Sequence, residues 1–333
     1  MPFGSFFARE KNVLPKVKKK SPAPEAPARD MPAKPQPVNS TRVNILLIGR
    51  SMTFIREFLC SMNQNMSQAM HKQGMTFYTR ELESISDMVA MKKKLEQFFW
   101  TFSDADWTYP AGEEAGNTYT FSISPSGNQK RALDFVISCV VPGPGTASVP
   151  EHADVCWVLA DGLLFDDSIG GDPYEGFAAE AIKKYAEKPV CLILAQLEKW
   201  GHFEQGADVT VFPKKTGRML IDRCADKFAS VCGTQTAVIF TQIYGGLEYV
   251  GADENGKPKL HIGQDGFYQS YIPENCEIPG FYTIQTICAN SQTNFFADAS
   301  GRGLNDAVRS HYAQRFGNAG WKPEFLVNGE ARV

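Results

Sequence analysis

The feature that most constrains the fold is a short apolar run that ends at a glycine and leads directly into a helical pattern. Residues 43–48 (VNILLI) are mostly apolar and precede Gly49. From Met52 to about Gln73, apolar side chains recur every three to four residues, which predicts an amphipathic helix. A buried strand, a glycine and a helix in this order are typical of a parallel sheet covered by helices.

The same alternation of strands and helices continues along the chain. Further helices are predicted at 81–102, 174–187, 220–231 and 304–312, and further strands at 118–124, 132–141, 155–159, 190–195 and 237–243. Only the strands at 118–124 and 132–141 are joined by a short turn, so this pair is expected to be antiparallel. The pattern predicts one α/β domain with a mostly parallel sheet and helices on both faces.

The first 42 residues differ in composition from the rest of the chain. They carry nine Lys or Arg residues against three acidic ones and eight of the 20 prolines, while the remaining 291 residues have a net charge of −9. Such a segment is expected to be a disordered basic leader, able at most to make weak peripheral contact with a membrane. The folded body is expected over 43–318, with insertions at 75–117 and 250–300 and a tail at 319–333.

The cysteines and the overall charge exclude several classes of protein. Three of the eight cysteines, Cys139, Cys156 and Cys191, lie inside strand-like apolar runs, and no C-x-x-C pair exists. Reduced core thiols in the cytoplasm are therefore expected, with no zinc site. The mean hydropathy of −0.27 and the formal net charge of −3 predict no membrane span and no DNA or RNA binding.

A ligand site in such a sheet lies beyond the carboxyl ends of its strands, which directs attention to the loop that begins at Gly49. A phosphate-binding P-loop has the pattern G-x-x-x-x-G-K-[ST] in this position. Here Phe54 stands for the second glycine, Ile55 for the lysine and Arg56 for the hydroxyl residue. The backbone curl, the phosphate charge and the magnesium ligand of that loop are therefore lost. Arg50 or Arg56 remains as a possible anion contact.

The order of elements nevertheless resembles the small-GTPase-like P-loop fold, and most closely the bacterial double-GTPase-type proteins. The resemblance covers about 43–315 and is carried by the segments 45–59, 107–110 with 118–121, 132–143, 153–161 and 190–199. It implies a three-layer P-loop NTPase fold, with an elaboration near 250–300. The 249–282 stretch, rich in aromatic residues and turn formers, is expected to be a β-rich excursion and the leading surface for a partner.

The resemblance also implies where a nucleotide would bind, although each nucleotide motif is altered. The D-x-x-G motif becomes Val140-Val141-Pro142-Gly143, and the base-binding [NT]-K-x-D motif becomes Ala195-Gln196-Leu197-Glu198. Thr108 and Thr118 stand near the first-switch position. The expected degenerate nucleotide cleft consists of Gly49, Arg50, Ser51, Thr53, Arg56, Gly143, Gln196 and Glu198, with no catalytic residue and no metal ligand.

Three functions stay open at this point. The leading hypothesis is a cytoplasmic pseudo-GTPase that lacks hydrolysis and acts by binding a protein, with a true GTPase as one candidate partner. No cofactor is expected for it. The alternative is a noncanonical GTPase that binds GTP or GDP with Mg²⁺, with Arg50 or Arg56 in place of the lysine and Asp134 or Asp161 near the metal. A third hypothesis has the leader anchor the body to a membrane or an assembly.

Overall fold

The computed structural model describes most of the body of the chain. The described residues are 39–79, 81–100, 117–128, 131–143, 149–160, 173–195, 227–228, 230–233, 235–243, 247–252, 258–262, 273–316, 324–327 and 330–332. The predicted leader falls almost wholly outside them, and every described element lies in one compact unit, residues 37–333.

The described part of the chain contains five helices of three or more turns and eleven strands. The helices are α1 (Met52–Lys72), α2 (Leu82–Trp100), α3 (Pro173–Lys184), α4 (Ile278–Ser291) and α5 (Leu304–Phe316). The strands are β1 (Asn39–Ile48), β2 (Met75–Thr79), β3 (Thr118–Pro125), β4 (Arg131–Val140), β5 (Val155–Ala160), β6 (Val190–Leu194), β7 (Thr236–Phe240), β8 (Leu247–Ala252), β9 (Pro258–Ile262), β10 (Glu324–Val327) and β11 (Glu330–Arg332).

Nine of these strands form one sheet in the order β11-β10-β7-β6-β5-β1-β4-β3-β2. Its centre is parallel, because β1 pairs in parallel with β4 and β5, and β6 pairs in parallel with β5 and β7. The strands at both edges are antiparallel, including the expected β3–β4 pair. The strand β1 lies at the centre of the sheet. After β1 the chain continues on the side of β4, and after β5 it continues on the side of β6.

Helices cover both faces of this sheet. Trp157 of β5 faces α1 and α4, since its ring meets Phe58 edge-on at 6.2 Å and its Nε1 donates to Thr283 Oγ1 at 3.1 Å. The preceding residue, Cys156, points to the opposite face. There it lies near Tyr185, just after α3, whose pKa is raised by burial and, to a smaller extent, by the Cys156 thiol. The expected fold class is therefore confirmed: a mostly parallel α/β sheet with helices on both sides.

Several element bounds differ from the sequence prediction for identifiable reasons. Strand β1 begins at Asn39 rather than 43, because residues 39–42 pair with residues 131–134 of β4. Strand β2 was not predicted, since Met75–Thr79 is only five residues long and follows α1 closely. In the predicted helix at 220–231, the structure describes only residues 227 and 228 as helical.

The chain after β7 makes an excursion and then returns to the sheet. Gln242 forms an isolated antiparallel bridge with Glu274, and the β8–β9 hairpin lies between them. The range 250–300 also contains α4, where Ile278, Phe281 and Ile284 are buried against the core. Pro279 stands in the first turn of α4, where the missing N–H of proline costs no hydrogen bond. The β-rich excursion is confirmed for the hairpin, while 278–291 is a core helix.

The described cysteines and helices bear on two of the sequence predictions, reduced core thiols and the absence of a membrane span. None of the seven described cysteines forms a disulfide; Cys224 lies outside the described residues. Burial raises the pKa of Cys139, Cys156 and Cys191 well above the ordinary value, in keeping with core thiols. Among the described helices, none has the length and apolarity to cross a bilayer.

Candidate functional site

The expected ligand position is the crevice beyond the carboxyl ends of β1, β4 and β5. These ends are level with one another, because Ile48 pairs with Val140 on one side and with Val158 on the other. The chain leaves β1 and β5 in opposite directions, so the topological switch point lies between these two strands. The cleft residues near β1 and β4, including Gly49 and Gly143, belong to this edge of the sheet.

The connection from β1 to α1 is too short to form a phosphate cradle. Only residues 49–51 separate Ile48, the last residue of β1, from Met52, the first residue of α1. The Gly49 N–H donates to the Val140 carbonyl at 3.1 Å, so it binds the neighbouring strand. A Cβ on Gly49 would lie 2.5 Å from Ile55 Cγ1, which means that close packing requires the glycine here.

Ser51 caps the helix with its own side chain. Its Oγ accepts from the Phe54 N–H at 3.1 Å, and its carbonyl accepts from the Ile55 N–H at 3.1 Å. Both donors belong to the first turn, which is the part of a helix that binds anions in a P-loop. The side chains of Phe54 and Ile55 are fully buried in the core. The position at which a P-loop has its lysine therefore points into the protein, whereas Thr53 is half-buried at the start of α1.

Arg56 lies beside α2 and β3, where it has protein partners. Its Nε donates to Tyr119 Oη at 3.2 Å and lies 3.9 Å from Asp87 Oδ2. The Tyr119 hydroxyl donates in turn to the same Asp87 oxygen at 3.2 Å. Burial raises the pKa of Tyr119, and the hydrogen bond from Arg56 opposes that rise. This cluster ties α1, α2 and β3 together.

Tyr174 fills the switch point itself. Its hydroxyl donates to the Ile48 carbonyl at 3.3 Å and makes a second, shorter contact with the Leu159 carbonyl. These carbonyls lie at the carboxyl ends of β1 and β5, and Tyr174 is only 3% exposed. The Arg50 guanidinium lies 4.9 Å from the centre of the tyrosine ring, over its face. Arg50 and Tyr174 together therefore cover the position where a ligand of this fold would sit.

The sequence did not point to Tyr174 as a site residue. It stands in the first turn of α3, directly after Pro173, where a large aromatic residue is compatible with an ordinary helix start. Its role depends on how α3 returns over the ends of two strands, which no local motif encodes. The available signal was its place at the start of the helix that follows β5.

The other expected site residues are spread over the edge or lie outside the described residues. Gly143 is exposed, three residues beyond the end of β4, and Thr118 is exposed where β3 begins beside that end. Gln196, Glu198, Asp161 and Thr108 lie outside the described residues. Asp134 lies six residues before the last residue of β4, about 20 Å from that end, where Ser122 Oγ donates to it at 2.7 Å.

Metal chemistry finds no support in the described part of the chain. No group of three or more histidine, cysteine or acidic residues there has a ligand arrangement. Asp134, the described candidate for magnesium, is at the amino end of its strand rather than at the crevice. Among the described residues of the carboxyl edge, the contacts hold the β1–α1 loop and α3 in place.

Comparison with known proteins adds two structural similarities. No protein-family model matches the chain, and no curated protein matches it. One similar solved structure is Sup35 in complex with GDP, with 10% identity, a TM-score of 0.32, and 70% of this chain and 43% of that one covered. Another is the apo form of translation elongation factor SelB from Methanococcus maripaludis, with 10% identity, a TM-score of 0.26, and 62% and 31% covered.

This chain thus spans less than half the length of either protein. The assignment of the fold class depends on the strand order and the covered parallel sheet of the chain itself rather than on these similarities. The fold is an α/β fold with a mostly parallel central sheet that helices cover on both faces.

Proposed function

We propose that this protein is a pseudo-GTPase that retains the GTPase-like fold, lacks nucleotide hydrolysis and acts by binding another protein. The observation that carries the proposal is the Arg50–Tyr174 pair over the carboxyl ends of β1 and β5. In an α/β sheet of this kind, that position is where a bound ligand contacts the backbone. Here a side chain of the same protein makes those contacts.

The loop from β1 supports the same proposal. The first-turn donors of Phe54 and Ile55 are used by Ser51, and the Gly49 N–H is used by Val140. A phosphate group would have to displace these internal hydrogen bonds, with Ile55 offering no positive charge in exchange. Since buried backbone groups need partners, the present arrangement is favourable without any ligand.

The alternative is a noncanonical nucleotide site that uses Arg50 or Arg56. Arg50 is the better placed of the two because it lies at the switch point, whereas Arg56 lies beside Tyr119 and Asp87. In this alternative, Arg50 must leave the Tyr174 ring when a phosphate binds. Gly49, Ser51, Thr53 and Gly143 would then supply the remaining contacts, and Gln196 and Glu198 the base contacts.

A titration separates the two functions. Isothermal calorimetry of the full chain with GTP, GDP and ATP, each with Mg²⁺, is expected to give no saturable binding in the micromolar range. Phosphate release at high protein concentration is expected to equal that of a buffer control. Micromolar binding that falls in Arg50→Ala but not in the exposed-lysine variant Lys183→Ala would replace the proposal with the alternative.

The proposed binding of another protein is tested by changing one surface of this chain and measuring whether the partner still co-purifies. A true GTPase is the expected class of partner, and a cytoplasmic location is part of the proposal. The excursion between Gln242 and Glu274 is the first surface to change, because its described hairpin, β8–β9, pairs outside the nine-stranded sheet while Gln242 and Glu274 bridge its two ends. Replacing residues 247–262 with a short glycine-serine linker is expected to abolish co-purification of the partner and leave the melting of the body intact.

A further inference from the structure

A second polar region lies far from the β1 loop, between the helices α1, α4 and α5. A groove of about 320 Å³ is lined there by Asn65, Gln68, Ala69, Lys72, Glu277, His311, Gln314 and Arg315. The volume falls at the lower end of the range for small-molecule sites. None of these residues belongs to the crevice over β1 and β5.

The unusual member of this groove is Glu277, which precedes α4. Its side chain is 1% exposed, and its Oε1 accepts from both Arg315 Nη1 and His311 Nε2. Its Oε2 is buried and accepts no hydrogen bond from any residue that the structure describes. A carboxylate has about four acceptor positions, and leaving one oxygen of a buried carboxylate unused is costly. Such a group calls for a donor that the described protein does not provide.

The exposure of the lining side chains follows a gradient. Glu277 is at the buried end, the His311 side chain is 12% exposed and the Arg315 side chain is 31% exposed. Lys72 is exposed at the last turn of α1, near the mouth of the groove. The groove therefore has an anionic acceptor at its base and cationic groups toward solvent.

The walls of the groove are held by other contacts, so its shape is built into the fold. Asn65 uses both ends of its amide, donating to the Pro273 carbonyl at 2.8 Å and accepting from the Cys276 N–H at 3.2 Å. These bonds fix the segment before α4 against α1. Gln73, just after α1, donates to Gln314 of α5 at 3.4 Å. Phe281 packs edge-on against the His311 ring at 5.0 Å.

From this geometry we propose that the groove binds a small zwitterion of the amino-carboxylate class, such as a free α-amino acid. Glu277 Oε2 is closed to solvent in the structure, so a ligand reaches it only after a side chain moves. Arg315, the more exposed of the two partners of Glu277, shifts outward from Oε1 to the carboxylate of the ligand, which Lys72 also binds at the mouth. The ammonium group of the ligand takes the place that Arg315 leaves and donates to both oxygens of Glu277. One ion pair thereby becomes two, without adding net charge to the buried end.

The chemistry of the groove favours a zwitterion over its separate halves. A simple amine would bring a second positive charge between Arg315 and Lys72, and a simple carboxylate would lie near Glu277 without a donor for Oε2. Only a ligand with both groups matches the acceptor at the base and the cations at the mouth. This proposal is independent of the pseudo-GTPase role, since the crevice over β1 is not involved.

The test uses the full chain and a panel of the common L-amino acids at millimolar concentration, with saturation-transfer NMR and thermal shift as readouts. Each amino acid is compared with its amine and its carboxylic acid counterpart, for example alanine with ethylamine and propionate. We expect at least one amino acid to bind, with its amine and acid counterparts at least tenfold weaker.

Two variants locate the binding. Lys72→Ala changes an exposed side chain and is expected to weaken the binding of the amino acid at least threefold. Lys183→Ala on α3, on the other face of the sheet, is expected to leave the binding affinity unchanged. Glu277→Gln replaces the acceptor and is expected to abolish binding; circular dichroism first establishes that this variant is folded. If it is not folded, Lys72→Ala and Lys183→Ala decide the result. Absence of binding by every amino acid overturns the proposal, as does equal binding by the amine or acid, or equal loss in Lys183→Ala.

Discussion

The crevice over β1 and the groove over Glu277 differ in whether their buried polar groups have hydrogen-bond partners within the protein. At the crevice, the side chains of Ser51 and Tyr174 satisfy the backbone groups that a ligand would contact in this fold. At the groove, a buried carboxylate oxygen has no donor among the described residues. The comparison teaches that the position inherited from the fold is occupied by the protein itself. An unused buried acceptor lies instead in the groove between α1, α4 and α5.

The largest expected effect belongs to the groove. Glu277→Ala removes a buried carboxylate that holds Arg315 and His311, and it is expected to lower the free energy of unfolding by about 3 kcal/mol. The value is at the low end of the usual cost of breaking a buried ion pair because both partners are partly exposed. Urea denaturation measures it, with the exposed Glu180→Ala on α3 as the control. Equal effects in the two variants would mean that the cluster contributes little to stability.

The next effect concerns the packing of the β1 loop. Gly49→Ala places a Cβ 2.5 Å from Ile55 Cγ1 and is expected to cost about 2 kcal/mol. Gly176→Ala is the matched control, because no atom lies within 4 Å of its added Cβ and alanine favours a helix. That variant is expected to gain about 0.5 kcal/mol. An unchanged free energy of unfolding in Gly49→Ala would show that the β1–α1 loop is packed less tightly than a closed crevice requires.

Tyr174→Phe tests the side chain that covers the crevice and is expected to have a smaller effect on stability. It keeps the ring under Arg50 and removes the hydroxyl that serves the Ile48 and Leu159 carbonyls. The expected loss is about 1 kcal/mol in the free energy of unfolding. Tyr185→Phe, whose hydroxyl donates to the Pro150 carbonyl at 2.7 Å, is the matched control just beyond α3. A loss for Tyr185→Phe alone would argue that the hydroxyl of Tyr174 is not a structural donor.

The smallest effect concerns the helix that carries His311 and Arg315. The pKa of Asp306 is lowered by the Gly303 N–H bond and by the Asn294 side chain. Because the folded pKa is lower than the unfolded one, its contribution is present above the unfolded value and is lost as the pH falls through the folded one.

Asp306→Asn is therefore expected to destabilise the protein by about 0.5 kcal/mol at neutral pH, a small value because the carboxylate is exposed to solvent screening. The difference from wild type is expected to shrink as the pH falls below 4, near the ordinary aspartate value. Thermal melts across this range measure it. A difference in melting temperature between Asp306→Asn and the wild type that does not change with pH would mean that the effect comes from the shape of the side chain rather than its charge.

Much of the fold was predictable because its signals are local. The apolar runs of β1, β5 and β6 and the three-to-four spacing in α1 predict buried strands and an amphipathic helix without tertiary information. The helix α4 was missed because it is apolar on nearly all sides and starts with Pro279 and Gly280, which read as turn residues. Its helical state depends on burial between the sheet and α5.

The absence of a P-loop after β1 was also predictable, since Phe54, Ile55 and Arg56 each lack a chemical group that such a loop needs. What replaces it was not. Tyr174 reaches the ends of β1 and β5 only because α3 returns over them, and Glu277 meets His311 and Arg315 across 34 and 38 residues of sequence. Contacts of this range have no signature in a single sequence.

The measurement that tests the central claim most directly is a calorimetric titration of the full chain with GTP and Mg²⁺, before and after Tyr174→Ala. The account predicts no saturable binding by the wild-type protein in the micromolar range, because Tyr174 and Ser51 already serve the backbone groups of the crevice. Tyr174→Ala is expected to stay without tight binding, since it restores neither the lysine nor the second glycine of a P-loop. Micromolar GTP binding by the wild-type chain would contradict the account.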